Sequence, residues 1–213
     1  MAIQVKGIDV SKWQGTIDWA RVKASGSVKF AILRAGYGSL VKQKDNKFDF
    51  NYDACKRLGI PVGAYWYSYA TTVNGAKREA QTFLKVIAGK QFEYPVWFDQ
   101  EYEPKIKALT NAQRTEIVKA FCAEMEKAGY YTGLYCSRDW LVNYVNAAEL
   151  KHLDIWVAAY GSAAGNVPLP YGMWQCSSSG KVNGITGNVD IDIAYKDYPA
   201  IIKKAKLNGF VNG

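Results

Sequence analysis

Short apolar runs of five to eight residues alternate along this chain with segments whose apolar residues recur every three or four positions. The short runs are Val5–Val10, Val28–Ala35, Pro61–Tyr67, Tyr94–Glu101, Thr132–Cys136, Asp154–Ala159, Gly172–Cys176 and Val189–Tyr195. Their near-continuous apolar character matches strands covered on both faces, as in a parallel sheet. Helical periodicity fits Ile17–Ser25, Asn51–Leu58, Gly75–Ala88, Ala112–Ala128 and Asp139–Val145. Thr16 and Thr110 stand where the first and fourth of these helices need an N-cap. Gly26, Gly59, Gly89 and Gly129 stand where helices should stop. Eight strands alternating with helices predict an α/β fold, an irregular (β/α) TIM-like barrel at the short end for that architecture.

The last third breaks the alternation and holds few helices. The stretch Ser177–Asn188 is polar and glycine-rich, with no helical period. A parallel crossover normally needs a helix, whereas an antiparallel return needs only a loop, so the final strand is predicted to run antiparallel to the seventh. Gly161–Tyr171, with Pro168 and Pro170, also lacks a helical pattern. Lys203–Gly213 reads as a final helix running into a linker. The expected organisation is one barrel over residues 1–207, then a tail over 208–213, without internal repeats.

Composition narrows the function. The 213 residues are 49% hydrophobic and 22% charged, which excludes a disordered or fibrous chain. A chain of this length buries roughly 70% of its unfolded surface and needs no disulfide or metal staple. The four cysteines, Cys55, Cys122, Cys136 and Cys176, form no C-x-x-C pair and read as free, buried thiols. The single histidine, His152, sits in a charged helix-end context, which argues against a histidine-dependent nucleophile. Aromatic residues make up 14% of the chain, more than a core requires, and point to a surface that stacks on something flat or sugar-like. The net charge of +8 favours an anionic partner, the alternative being ordinary solvated lysines. No lysine–arginine cluster interleaved with aromatics supports nucleic acid. No apolar run approaches the roughly 18 residues of a membrane span, and Met1–Lys6 lacks a signal-peptide core.

Chemistry in such a barrel sits at the C-terminal strand ends. Asp9 closes the first run, and Asp99 and Glu101 close the fourth. Side chains at i and i+2 share a strand face about 6.5–7 Å apart, so these two carboxylates are expected to point into the same space. Like charges that close disfavour joint ionisation. One protonated and one ionised carboxyl is the equipment of glycoside hydrolysis. Asp190 opens the antiparallel final strand and joins the same rim, with Asp192 deeper on its face. Taken singly, a D-x-E pair belongs to a solvated face and Asp9 to a cap or turn. Four acids also suit a hard cation, but the surrounding aromatics favour sugar and no metal or other cofactor is expected.

Several motifs resemble family 25 of the glycoside hydrolases, the muramidases of bacteria and their phages. Gly7-Ile8-Asp9-Val10-Ser11-Lys12-Trp13-Gln14-Gly15 looks like that family's opening motif, and Tyr94–Glu101 like its D-x-E strand. Trp156–Tyr160 is similar to its W-x-A-x-Y segment and Trp174–Ser177 to its W-Q-Y strand, with Cys176 replacing the usual aromatic. Gly187–Asp192 resembles its V-D-L-N ending, with Asp192 where Asn is common. The matches run in order from Gly7 to Tyr195.

The resemblance implies cleavage of the β-1,4 bond between N-acetylmuramic acid and N-acetylglucosamine in peptidoglycan, by an irregular barrel with a late antiparallel strand. Glu101 matches the general acid, and Asp99 the partner that orients the substrate's 2-acetamido group. That group would serve as internal nucleophile with net retention, inversion through Asp9 or Asp190 being the other route. Asp9 and Asp190 match flanking acids that tune the pair. By the same logic Tyr65, Tyr67, Tyr135, Trp156 and Tyr160 are candidates to contact sugar, each with core filling as its alternative. Arg34 is expected either to bind the lactyl carboxylate or to pair with Asp9 or Glu101, and Trp13 to pack rather than contact. The implied protein acts as a monomer on the bacterial wall, without membrane insertion. It would be released through a holin-type pore as a phage or prophage endolysin, or secreted by another route. A non-catalytic wall-binding module on the same barrel is the alternative. A substrate-assisted chitinase is disfavoured because Trp97 and Tyr94 occupy acid positions of its D-x-x-D-x-D-x-E motif.

Overall fold

A computed structural model describes residues 3–210. Eight strands form a closed barrel in chain order: β1 (Val5–Val10), β2 (Ala31–Tyr37), β3 (Val62–Tyr67), β4 (Val96–Asp99), β5 (Thr132–Ser137), β6 (Asp154–Ala158), β7 (Met173–Gly180) and β8 (Val189–Ala194). Each neighbouring pair from β1 to β7 is parallel. The last strand, β8, pairs antiparallel with both β7 and β1 and closes the ring. The loop argument for the final strand therefore holds. The polar stretch after Cys176 is shorter as a loop than its composition indicates, because β7 continues through Ser177–Gly180 against β8.

Seven helices accompany the strands: α1 (Trp19–Ala24), α2 (Phe48–Arg57), α3 (Val73–Ile87), α4 (Pro104–Lys107), α5 (Asn111–Lys127), α6 (Arg138–Asn143) and α7 (Tyr198–Ala205). Thr110 caps α5 in a reciprocal capping box with Gln113. The cap of α1 is Asp18, not Thr16, and its carboxylate accepts from the Arg21 amide at 3.0 Å. Ile17 is buried ahead of the helix, which leaves Thr16 in the approach, where its hydroxyl accepts from Lys47 Nζ. Gly26, Gly59, Gly89 and Gly129 all adopt positive φ, as helix-stopping positions require. The final helix lies upstream of its expected span and ends at Lys206 in the left-handed region. Pro199 occupies its first turn, where a missing amide costs nothing. Among the described residues no helix is long and apolar enough to cross a membrane.

Strand parity sorts the side chains. Ile8, Val10, Leu33, Val62, Ala64, Val96 and Phe98 join the main core between barrel and helices. The alternate positions fill the barrel itself, where Phe30, Ile32, Tyr94, Trp97, Trp156, Met173 and Tyr198 form a second apolar cluster. Trp97 and Trp156 are essentially sealed from solvent, with ring centroids 5.7 Å apart. They form a floor across the middle of the barrel. Cys55, Cys122 and Cys136 are buried and Cys176 half-buried, all as free thiols.

Polar groups close the end below that floor. Asp154 accepts from Tyr131 Oη, Tyr198 Oη and Lys196 Nζ at 2.9–3.0 Å. Asn208 falls in the segment that reads as a tail, yet it is fully buried. Its Oδ1 accepts from the Tyr131 amide at 2.7 Å, and its Nδ2 donates to the carbonyls of Phe92 and Tyr94. Residues 211–213, the rest of that segment, lie outside the described residues. Asn208→Ala leaves three buried backbone groups without partners, each costing about 1–3 kcal/mol. Chemical denaturation should show a loss of at least about 2 kcal/mol.

Candidate active site

Above the tryptophan floor, inward positions of the same strands carry acids and hydroxyls instead of apolar groups. They line a cavity of about 250 Å³ at the C-terminal ends of the parallel strands. Its walls include Asp9, Asp99, Glu101 and Asp190, together with Arg34, Tyr65, Tyr67, Tyr135, Trp156 and Tyr160. The structure thus brings every site residue expected from sequence to one place. Asp9 and Asp190 sit directly across from each other in the β1–β8 ladder. Asp99 is the last residue of β4 and is 3% exposed. Glu101 lies two residues past that strand, where the chain has left the sheet.

Burial sets the electrostatics. It raises all four carboxyls, and no cation sits close enough to reverse the effect. Asp99 is held well above the ordinary carboxylate range by burial, then by Glu101 and Asp9, with a smaller opposing pull from Arg34. Glu101 is raised by burial and then by the charges of Asp190 and Glu103. Asp9 stands well above its usual value through burial and the neighbouring Asp192 and Asp190. Burial pushes Asp190 up to about 6. A group of acids so placed titrates as one coupled system rather than as four independent carboxyls.

Polar partners fix the geometry. Gln175 Nε2 donates to Asp9 Oδ2 at 2.7 Å. Gln175 Oε1 accepts from Tyr135 Oη at 2.9 Å and Tyr160 Oη at 3.2 Å. Tyr135 and Glu101 line the same wall of the cavity. Asp99 Oδ1 is buried without a protein donor, an acceptor free to meet a substrate N–H or O–H. Tyr67 Oη donates to Glu103 at 2.6 Å.

Two side chains depart from expectation. Arg34 pairs with neither Asp9 nor Glu101. Its Nε donates to Asp45 Oδ2 at 2.7 Å, and Asp45 is held in place by the amides of Lys12 and Lys47. Asp45 lies in a loop eleven residues away, so strand-end reasoning passes over it. Trp13 does not pack: it is 76% exposed at the cavity mouth, with Lys12 Nζ 5.0 Å from its ring centroid. It sits in a short 3-10 turn that buries none of its residues. Sequence reasoning also missed Gln175 as a site residue. Its signal was parity, because it follows inward Met173 by two positions on β7.

The cavity opens on both sides. Toward Arg138 and Asp139 it meets a hollow of about 430 Å³, with Glu101, Tyr135 and Tyr160 shared between the two. Toward Tyr37 and Tyr69 it meets another of about 380 Å³, sharing Trp13, Arg34 and Tyr67. The result is a cleft crossing the barrel mouth, with acids at its centre and aromatic rings along its length. Among the described residues no group of three or more His, Cys, Asp or Glu is disposed to hold a metal ion.

Known proteins resemble this chain in sequence and fold. The autolytic lysozyme of Clostridium acetobutylicum is 30% identical over 188 residues, which cover 88% of this chain and 55% of that protein. The chain thus spans little more than half of that relative. The crystal structure of the bacterial lysozyme from Streptomyces coelicolor superposes with a TM-score of 0.81 at 28% identity, covering 97% of this chain and 98% of that one. The modular autolysin LytC from Streptococcus pneumoniae, solved in complex with a synthetic peptidoglycan ligand, gives a TM-score of 0.80 at 31% identity, over 90% of this chain and 47% of that one. The family model described as glycosyl hydrolases family 25 matches residues 8–185, from the strand that carries Asp9 to the loop before Asp190, and the chain belongs to that family.

Proposed function

We propose that this protein is a peptidoglycan hydrolase, an N-acetylmuramidase that cuts the β-1,4 bond between N-acetylmuramic acid and N-acetylglucosamine. The observation that carries the reading is the pair of a buried Asp99 and a half-buried Glu101 at the centre of an open, aromatic-lined cleft. A raised, partly exposed Glu101 suits a general acid that protonates the leaving oxygen. Asp99, with one oxygen unclaimed by the protein, suits an acceptor for the 2-acetamido N–H. Holding that amide turns its carbonyl oxygen toward the anomeric carbon as internal nucleophile, which gives retention. Asp9 and Asp190 face this pair and raise the proton affinity of Asp99 and Glu101 respectively. Tyr135 holds Gln175, which in turn holds Asp9. The glycan chain would follow the cleft, with the exposed Trp13 and Tyr160 rings offering apolar faces to pyranose rings. The peptidoglycan-bound autolysin and the lysozymes above support this substrate class. The basic surface, at +8, suits an anionic wall. On this reading the domain works as a monomer without a cofactor, brought to the wall as an endolysin or by secretion.

Glu101→Gln and Asp99→Asn should each lower release of reducing sugar from purified peptidoglycan by about 10²–10⁴-fold, with melting temperatures near the parent's. Turnover surviving in Glu101→Gln rejects the assignment. Asp190 in its ionised form helps Glu101 keep its proton. Asp190→Asn should therefore move the alkaline limb of the pH–rate profile to lower pH. Trp13→Ala should raise KM for long glycan strands more than it lowers kcat, as measured on strands of graded length.

A further inference from the structure

Asp192 is the fifth acid of the barrel mouth, and the mechanism above leaves it unused. It lies two residues beyond Asp190 on the same inward face of β8, opposite Gly7 of β1. Gly7 has no side chain to occupy that space, and a Cβ there would meet the Phe30 ring. Asp192 is fully buried. Its Oδ1 accepts from Trp156 Nε1 at 2.9 Å. Its Oδ2 finds no ordinary donor. The ladder sets its carboxyl on the diagonal from that of Asp9, which stands opposite Asp190 on the same inward face. The facing groups are Asp190 from β8, Cys176 and Gln175 from β7, Tyr65 from β3 and Asp99 from β4. The one cation at this rim, Arg34 of β2, is bound to Asp45 instead.

Two carboxyls on neighbouring positions of one buried face, out of water and without a counter-cation, are not both ionised. Asp192 Oδ2, buried and without a donor, is where a proton kept between the two groups can sit. We propose that Asp192 is a positioning residue that shares one proton with Asp9 and so quenches the negative charge Asp9 presents to Asp99. Gln175 holds the far oxygen of Asp9 at the same time, so both lone-pair directions of that carboxyl are fixed. Less charge on Asp9 leaves Asp99 easier to ionise, which sets the working range of the Asp99–Glu101 pair toward lower pH. The kinetic consequence rests on the hydrolase reading, whereas the shared proton does not.

Asp192→Asn tests both parts. An amide at this position donates to Asp9 permanently and needs no proton, so Asp9 becomes a full carboxylate beside Asp99. The first measurement is thermal melting between about pH 5 and pH 8. A proton kept by the folded chain and released on unfolding makes stability fall as pH rises above the ordinary carboxylate range. The parent should show that fall, and Asp192→Asn should show a measurably shallower one. Asp9→Asn, which replaces the other partner, should flatten the curve in the same way. Superimposable slopes in parent and both variants overturn the shared proton. The second measurement is the pH profile of kcat/KM on peptidoglycan, whose optimum should rise by about half a pH unit or more in Asp192→Asn. An unmoved or lowered optimum, or no turnover at any pH, overturns the positioning role. Should the parent itself cut no glycan, the hydrolase reading fails, and the melting curves still decide whether the proton is shared.

Discussion

The site depends on holding several carboxyls out of water at one end of a barrel without any cation to neutralise them. Such burial is costly for charged groups. The chain meets the cost by keeping protons on the acids and by supplying neutral donors. Gln175 serves Asp9 and Trp156 serves Asp192. The one basic side chain nearby, Arg34, is tied to Asp45 and stays out of the acid cluster. A cation moved onto Asp9 or Asp99 would lower their proton affinity and strip the protons that make this burial tolerable.

The two ends of the barrel solve opposite problems. Below the Trp97–Trp156 floor the buried Asp154 and Asn208 find their partners within the protein. That end is a closed structural plug. Above the floor, acceptors such as Asp99 Oδ1 stay without protein partners. The asymmetry follows from strand direction. Seven parallel strands deliver their C-terminal ends, and the side chains just past them, to one rim. The antiparallel β8 brings its beginning there instead, which is why Asp190, early in its strand, meets Asp9, late in its own.

Tertiary packing also explains the residues that strand-end reasoning misjudged. Trp13 looked like a core residue because tryptophan usually is one. It lies in a turn held by a capping box between Ser11 and Gln14, which fixes the backbone and leaves the indole in solvent at the cleft. Trp156 is the reverse: it borders the cavity but is 1% exposed, its ring against Tyr135 and its N–H on Asp192. Its part in the site is to support acids from below rather than to offer a free face. Thr16 lost its capping role to Asp18 because burying Ile17 delays the start of α1.

The sequence by itself determined the order and kind of elements, since two-sided apolar runs admit little besides buried strands and a helix-free return forces an antiparallel partner. It also determined which acids share a face, because parity along a strand is local. Only the tertiary structure decided the partners. Arg34 reaches Asp45, Gln175 reaches Asp9 across 166 residues, and Asp192 meets Trp156 rather than solvent. Those choices depend on barrel closure, and no local pattern along the chain encodes it.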